Sequence, residues 1–132
     1  MKRFLLATII SGLAMISVNA KTVRNFNSQS DNKLTFKVDS VDYRSDLTRI
    51  YGKLIGRPHT SNRIDGVTAL TSGSALTSTD IDGVDFHRYF QWEDDGIIPI
   101  ELDFPIMGIE GFQLLFDTPL GQSQTMVKVR QK

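Results

Sequence analysis

The sequence predicts an all-β fold, an immunoglobulin-like antiparallel β-sandwich of about eight strands that follows an N-terminal signal peptide. From Lys33 onward, apolar residues recur at every second position in several short runs, which is the period of a strand with one buried face. Glycine, proline and asparagine separate these runs at the spacing typical of a sandwich. After residue 20 no run has the i, i+3, i+4, i+7 spacing of an amphipathic helix. An up-and-down barrel is the alternative fold.

The first twenty residues read MKRFLLATIISGLAMISVNA, with Lys2 and Arg3 before an apolar run over 4–18 and small residues up to Ala20. This order predicts a secretory signal peptide that is cleaved after Ala20. A transmembrane anchor is the alternative, but hydroxyl residues and a glycine interrupt the run, and a span needs about 20 apolar residues. We therefore expect a periplasmic or extracellular protein that does not insert into the membrane after cleavage.

Cleavage leaves 112 of the 132 residues, which is the size of one ordinary domain. The chain has no cysteine, so it carries neither a disulfide nor a lipidated Cys. The predicted layout is a signal peptide over 1–20, a polar lead-in over 21–32 and a β-sandwich domain over 33–132.

Charge is nearly balanced in the mature chain, with 13 basic and 15 acidic residues, so no overall field attracts nucleic acid. Its distribution is uneven. Residues 21–63 carry nine Lys or Arg and four Asp, whereas residues 64–117 carry one Arg and eleven carboxylates. We expect basic and acidic strands to lie side by side and to pair across a sheet. The alternative is an acidic surface that binds a cation or a basic partner.

Alternation predicts which side chains each strand turns toward the core. The inward sets are, in chain order, Leu34, Phe36 and Val38; Ile50, Gly52 and Leu54; Ile98, Ile100, Leu102 and Phe104; Phe112, Leu114 and Phe116; and Thr125, Val127 and Val129.

Two hairpins are predicted from turn residues. RIDGVTALTSGSALTST mirrors itself about Ser72-Gly73, and FHRYFQW and GIIPIELDF flank an Asp95-Gly96 pair. Pro99 has no amide proton, so its strand is expected to lie at an edge or to have a bulge there. A further turn is expected in the segment TPLG, residues 118–121.

The segment IDGV occurs twice, beginning at Ile64 and at Ile81, and the second copy lies in an acidic stretch from Asp80 to Asp95. Calcium prefers such oxygen ligands. The spacing is not that of an EF-hand loop, and we interpret these carboxylates as solvated turn residues, leaving open whether they bind a cation. His59 and His87 are the only histidines, and without cysteine they form no zinc set. No metal or other cofactor is predicted.

No catalytic residue is predicted, and the chain is expected not to be an enzyme. It has no Gly-x-Ser-x-Gly segment, and a mature domain of this size offers little room for a substrate cleft. The alternative function is a small secreted hydrolase or lyase that uses His87 with carboxylate partners.

Aromatic residues concentrate in FHRYFQW, residues 86–92. Alternation places Phe86, Phe90 and Trp92 on one face, and our favoured interpretation is that Phe90 and Trp92 anchor the core. The functional interpretation is a binding surface on which a sugar ring or a peptide stacks. Its candidate residues are His87, Arg88, Tyr89, Trp92 and Tyr51.

The order of RIDGVTAL, DIDGVDF, DDGIIPIELDFPI and FQLLFDTPLGQSQTMVKV over residues 63–129 resembles secreted bacterial accessory β-sandwich domains, such as those that precede the thioredoxin-like domain of some thiol–disulfide oxidoreductases. The redox domain and its Cys-x-x-Cys are absent here, so no oxidoreductase activity is implied. The resemblance implies a stand-alone, non-catalytic binding or structural module of the cell envelope or secretome, whose partner is an unidentified protein or glycan.

Overall fold

The computed structural model describes residues 21–108 and 111–129, and every regular element in these residues is a β-strand. The predicted signal peptide, residues 1–20, lies outside the described residues. Within the described ranges no helix is long and apolar enough to cross a bilayer. The strands are β1 (Lys21–Val23), β2 (Phe26–Ser30), β3 (Thr35–Tyr43), β4 (Thr48–Ile55), β5 (Ser61–Arg63), β6 (Gly66–Thr71), β7 (Ser74–Thr77), β8 (Asp80–Asp82), β9 (Tyr89–Gln91), β10 (Ile97–Phe104), β11 (Phe112–Thr118) and β12 (Gly121–Val129).

The strands form two five-stranded antiparallel sheets and one two-stranded ribbon. The first sheet has the order β1-β3-β4-β10-β8, the second sheet has the order β2-β12-β11-β6-β7, and the ribbon pairs β5 with β9. The inner faces of the two sheets share one core, as in a β-sandwich. The predicted all-β, antiparallel fold is confirmed. The described residues form twelve strands rather than about eight, because four short, mostly polar strands, β1, β2, β5 and β8, lack a clear apolar alternation.

The predicted inward sets are confirmed. Every residue in them is buried except Ile98 and Val129, which are half-buried at strand ends and still pack against the core. Where alternation is unbroken, the period of two therefore identifies the buried face correctly.

Strand β3 changes its inward face in the middle, which alternation alone does not predict. Phe36 and Val38 point inward before Asp39, and Val41 and Tyr43 point inward after it. The register with β4 shifts between Val38 and Ser40, which is a β-bulge. One extra residue in a strand reverses the side that all later residues face.

The polar stretch 21–32 differs from the expected loose lead-in, because it contributes an edge strand to each sheet. β1 pairs with the end of β3, and β2 pairs with β12. The Ser28 hydroxyl accepts a hydrogen bond from the Val38 amide (2.9 Å), and the Ser30 hydroxyl accepts one from the Phe36 amide (3.0 Å). Serine hydroxyls, rather than apolar alternation, therefore join β2 to β3 at this side of the fold.

The Ser72-Gly73 hairpin is confirmed, and the Asp95-Gly96 hairpin is wrong. β6 and β7 pair up to Thr71 and Ser74, and Gly73 has a φ of +87°. The chain also turns at Gly96, but β9 pairs with β5 while β10 pairs with β4 and β8. The turn residues therefore predicted the bend correctly but not the strand partners, because tertiary packing selects those partners.

Pro99 lies in β10 beyond the end of β8, whose pairing covers only residues 101–103 of β10. At Pro99 the strand therefore has β4 as its single paired neighbour, and the expected local edge is confirmed. The predicted turn at residues 118–121 is also confirmed, because Thr118 and Gly121 are the last paired residues of β11 and β12.

Opposite charges pair between β4 and β10, as expected from the charge distribution. Arg49 lies directly opposite Asp103, and its guanidinium donates two hydrogen bonds of 2.7 and 3.0 Å to that carboxylate. The hydrogen bond to Asp103 raises the pKa of Arg49 above its ordinary value. Basic and acidic strands therefore neutralise each other here on the outer face of the first sheet.

Gly52 allows the central contact between the sheets. A Cβ atom at this position would lie 2.4 Å from Cζ of Phe36 and 2.5 Å from the backbone oxygen of Lys37. In the space that Gly52 leaves, the Phe36 ring lies over β4 and meets the ring of Phe116 from the second sheet, with 5.3 Å between centroids.

We expect Gly52→Ala to destabilise the fold by about 1–3 kcal/mol, since the added methyl group overpacks the core against a backbone atom that cannot move freely. The free energy of unfolding in urea measures this. Gly66→Ala is the matched control, because its Cβ would meet only the flexible Asp117 carboxylate, at 3.3 Å. Equal stability losses in the two variants would contradict the explanation.

Asp31 joins the β2–β3 connection to β12. Its carboxylate accepts hydrogen bonds from the Ser123 hydroxyl (2.6 Å), the Gln124 amide (2.8 Å) and the Lys33 amide (3.0 Å). Burial raises the pKa of Asp31, but the hydrogen bonds together lower it more, so the net shift is downward. Its stabilising effect is therefore present above the ordinary pKa of about 3.9 and is lost as the pH falls through the folded-state value.

We expect Asp31→Asn to lower the free energy of unfolding by about 1–3 kcal/mol at pH 7, because an amide NH2 would face hydrogen-bond donors. The difference from the wild type should narrow below about pH 4, where the wild-type carboxyl becomes protonated. Urea unfolding across this pH range checks both points. Asp46→Asn is the control, since Asp46 forms only an exposed ion pair with Arg44. A difference that does not depend on pH would contradict the assignment.

Candidate functional site

The fold brings the first IDGV segment against the residues that follow the second. The His87 amide donates a hydrogen bond to the Ile64 carbonyl (2.9 Å), and His87 Nδ1 lies 3.3 Å from Oδ1 of Asp65. His87 has a φ of +66°, which few residues other than glycine adopt. Ile64 is fully buried and anchors this contact to the core. The histidine is therefore held at the end of the ribbon by main-chain as well as side-chain contacts.

Arg63 connects this histidine to the aromatic strand. Its guanidinium donates hydrogen bonds of 2.8 and 3.0 Å to the two carboxylate oxygens of Asp65. The central carbon of this guanidinium, Cζ, lies 5.1 Å from the centroid of the Tyr89 ring, which is directly across the ribbon. The hydrogen bonds from Arg63 are the main reason that the pKa of Asp65 is lowered, and His87 makes a smaller contribution.

We call Arg63, Asp65, His87, Arg88 and Tyr89 the Tyr89 patch. Tyr89 is 64% exposed although its ring contacts Arg63. The side chains of His87 and Arg88 are 74% and 78% exposed. The patch thus presents an exposed aromatic ring, and the two residues that precede it in the chain carry an exposed imidazole and an exposed guanidinium.

Trp92 belongs to the core and is not part of this surface. It is 4% exposed, and its indole N–H donates a hydrogen bond to the Leu54 carbonyl (3.0 Å). Phe90 packs edge-on against it with 5.3 Å between centroids, and Gly56 lies against the indole. Of the predicted binding residues, Trp92 therefore takes the core position that our favoured interpretation assigned to it.

Tyr51 lies in a different cluster, on the outer face of the first sheet. With Asp39, Asp82, Pro99 and Glu101 it lines a cleft of about 230 Å³. Alternation along β4 and β10 placed Tyr51 and Glu101 on outward faces, but the sequence did not show that β8 would bring Asp82 opposite Glu101. The cleft was therefore missed, because it depends on a strand partner that only the fold reveals.

The carboxylates from Asp80 to Asp95 spread over several surfaces. Asp80 and Asp82 lie on β8, Asp85 is 3.8 Å from Arg88, and Asp94 is 2.9 Å from Nε2 of His59. In residues 21–108 and 111–129, no three His, Asp or Glu side chains are grouped so that they could hold a metal ion.

The hydrolase alternative depends on His87, a carboxylate and an adjoining cleft. His87 is near Asp65, whose two oxygens also accept hydrogen bonds from Arg63. Four cavities in the described part of the chain have neither His87 nor Asp65 in their walls. His87 is therefore an exposed imidazole beside Asp65, outside these four cavities.

We expect the carboxyl group of Asp65 to titrate below about 3.9, its ordinary value, when it is followed by NMR. Because Arg63 is the main cause, Arg63→Gln should raise the pKa of Asp65 more than His87→Asn does. Asparagine is the suitable replacement at position 87 because it tolerates positive φ. A larger effect of His87→Asn would contradict this order of contributions.

Comparison of the chain with models of protein families, with curated proteins and with solved structures gives no match. The resemblance to accessory β-sandwich domains therefore stays a prediction. Function has to be inferred from the fold and from the side chains that the fold brings together.

Proposed function

We propose that the protein is a non-catalytic binding module of the bacterial cell envelope or secretome, and that it captures a protein or glycan partner on the Tyr89 patch. The observation that carries the proposal is Tyr89 itself, a large aromatic side chain that is 64% exposed and is contacted by the guanidinium of Arg63. The bidentate bond to Asp65 in turn fixes that guanidinium.

An aromatic ring held in this way is suited to recognition. Binding normally costs free energy because flexible side chains lose freedom at the interface, and a ring that is already oriented loses less. Tyrosine combines apolar contact area with a hydroxyl that forms hydrogen bonds, which makes it frequent in binding surfaces. His87 and Arg88 add hydrogen-bond donors beside the ring for a sugar hydroxyl or a peptide carbonyl.

The scaffold in this proposal is an immunoglobulin-like β-sandwich exported by the predicted signal peptide. The two large antiparallel sheets around one core support the sandwich architecture in this proposal. The resemblance to secreted accessory domains supports the same class of function. The mature protein acts in the periplasm or outside the cell, without a cofactor.

Native affinity electrophoresis in gels that contain a mixed-linkage β-glucan, a xylan or soluble peptidoglycan tests glycan capture, and biosensor binding to an immobilised peptide library tests peptide capture. With whichever probe is retained, we expect Tyr89→Ala to weaken binding at least about tenfold, as for an aromatic anchor. Circular dichroism should be unchanged because the side chain is mainly exposed.

Ile106→Ala is the matched control, since Ile106 is a large residue that is 61% exposed and lies outside the patch. It should bind as the wild type does. Undiminished binding by Tyr89→Ala would place recognition elsewhere, and absence of binding to every probe would contradict the glycan and peptide classes named here.

A further inference from the structure

Strand β7 is the least protected of the four edges of the two large sheets. An open edge offers backbone N–H and C=O groups with which another strand can pair, and short or charged edges oppose such pairing. β1 has three residues including Lys21, and β8 has three residues including Asp80 and Asp82. β2 is joined to β3 through the hydroxyls of Ser28 and Ser30. No strand in the described part of the chain pairs with the outer side of β7.

β7 has four residues, and the sequence around it has no charge, proline or bulge that would oppose pairing. Residues 67–79 contain no charged residue and no proline. The register between β6 and β7 runs without a bulge. Lysine, proline and bulges are the features with which natural proteins prevent pairing at an edge.

The ladder shows which groups of β7 point outward. The Ser78 amide donates a hydrogen bond of 2.8 Å to the Val67 carbonyl. Hydrogen-bonded positions alternate along an antiparallel strand, so the backbone of Leu76 also points toward β6. The N–H and C=O groups of Ala75 and Thr77 therefore point away from the sheet.

The side chain of Leu76 lies on the inner face of the same edge. Leu76 is paired with Ala69, which is fully buried, and cross-strand partners share a face. Leu76 packs against the core but is only partly buried. An apolar side chain is thus left half-covered at the open edge.

We propose that β7 pairs with β7 of a second copy of this chain, as antiparallel strands related by a two-fold axis at Leu76. Ala75 of each copy then exchanges hydrogen bonds with Thr77 of the other, which gives four bonds and one continuous ten-stranded sheet. Leu76 of one copy faces Leu76 of the other in a non-hydrogen-bonded pair, where side chains approach most closely.

A second copy fits this edge because the strand is complementary to itself. Antiparallel pairing about a two-fold axis brings each residue near its own equivalent, so a charged strand would place like charges together. β7 is uncharged, so no like charges meet. Leu76 of each copy covers the exposed part of Leu76 of the other. The contact is small, so we expect a dimer whose population depends on protein concentration.

Sedimentation equilibrium of the mature chain, residues 21–132, from about 1 µM to 1 mM tests the proposal, a range that covers weak association. The wild type should pass from monomer to dimer. Ala75→Pro removes an outward N–H that takes no part in β6–β7 pairing, so that pairing should survive while dimerisation weakens about tenfold or more. Ala75→Val keeps the N–H and is the matched control. A wild type that stays monomeric, or a dimer unaffected by Ala75→Pro, would overturn the proposal.

A charge exchange at the two-fold axis tests the register. Leu76→Lys and Leu76→Glu should each be monomeric alone, since like charges would face each other, and an equimolar mixture should form heterodimers. Circular dichroism verifies that the Leu76 variants fold. If they do not fold, the comparison of Ala75→Pro with Ala75→Val tests the proposal instead. Folded variants that fail to associate when mixed would overturn the two-fold arrangement.

Discussion

The contact between Phe36 and Phe116 holds the two large sheets in their relative positions, and it depends on the absence of a side chain at Gly52. The ring of Phe36 occupies the space that a Cβ atom at Gly52 would fill. In that position it meets the ring of Phe116 from the opposite sheet. The buried residues of both sheets form a single cluster around this contact. Other features of the fold, including the strand edges and the ribbon, are arranged around this core.

Polar side chains complete the fold where apolar ones end. Ser30 is 2.8 Å from the hydroxyl of Thr125, and Ser123 donates a hydrogen bond to Asp31. Ser123 and Thr125 are fully buried, so their hydroxyls need such partners. Buried hydroxyl groups thus attach the N-terminal strands to the end of the chain.

The two large sheets present different surfaces to solvent. The outer face of the first sheet carries ion pairs such as Arg49–Asp103 and Lys53–Asp39. The β7 edge of the second sheet is uncharged. The ribbon carries the exposed ring of Tyr89 at a third position. Recognition of a partner at the ribbon and self-association at β7 use different strands, so the two proposals can be tested separately.

The sequence by itself determined the fold class and most of the core. Alternation is a local property of the chain, and it identified the buried face of β4, β10, β11 and β12 and of the first half of β3. It also identified Trp92 as a core residue, because Trp92 alternates with exposed neighbours. Local patterns failed where hydrogen bonds replace apolar contacts, as in β2, and where one extra residue at Asp39 reverses the pattern in β3.

Tertiary structure decided which strands are neighbours and which side chains meet. The chain turns at Gly96 as its turn residues indicate, yet β9 pairs with β5, so Tyr89 lies over Arg63 instead of beside β10. Asp65 and His87 are 22 positions apart and meet because the first IDGV segment packs against the residues that follow the second copy. Tyr51, which the sequence grouped with Tyr89, lies with Asp82 and Glu101. Contacts between distant segments depend on how the whole core packs, so a local pattern of residues does not predict which segments become neighbours.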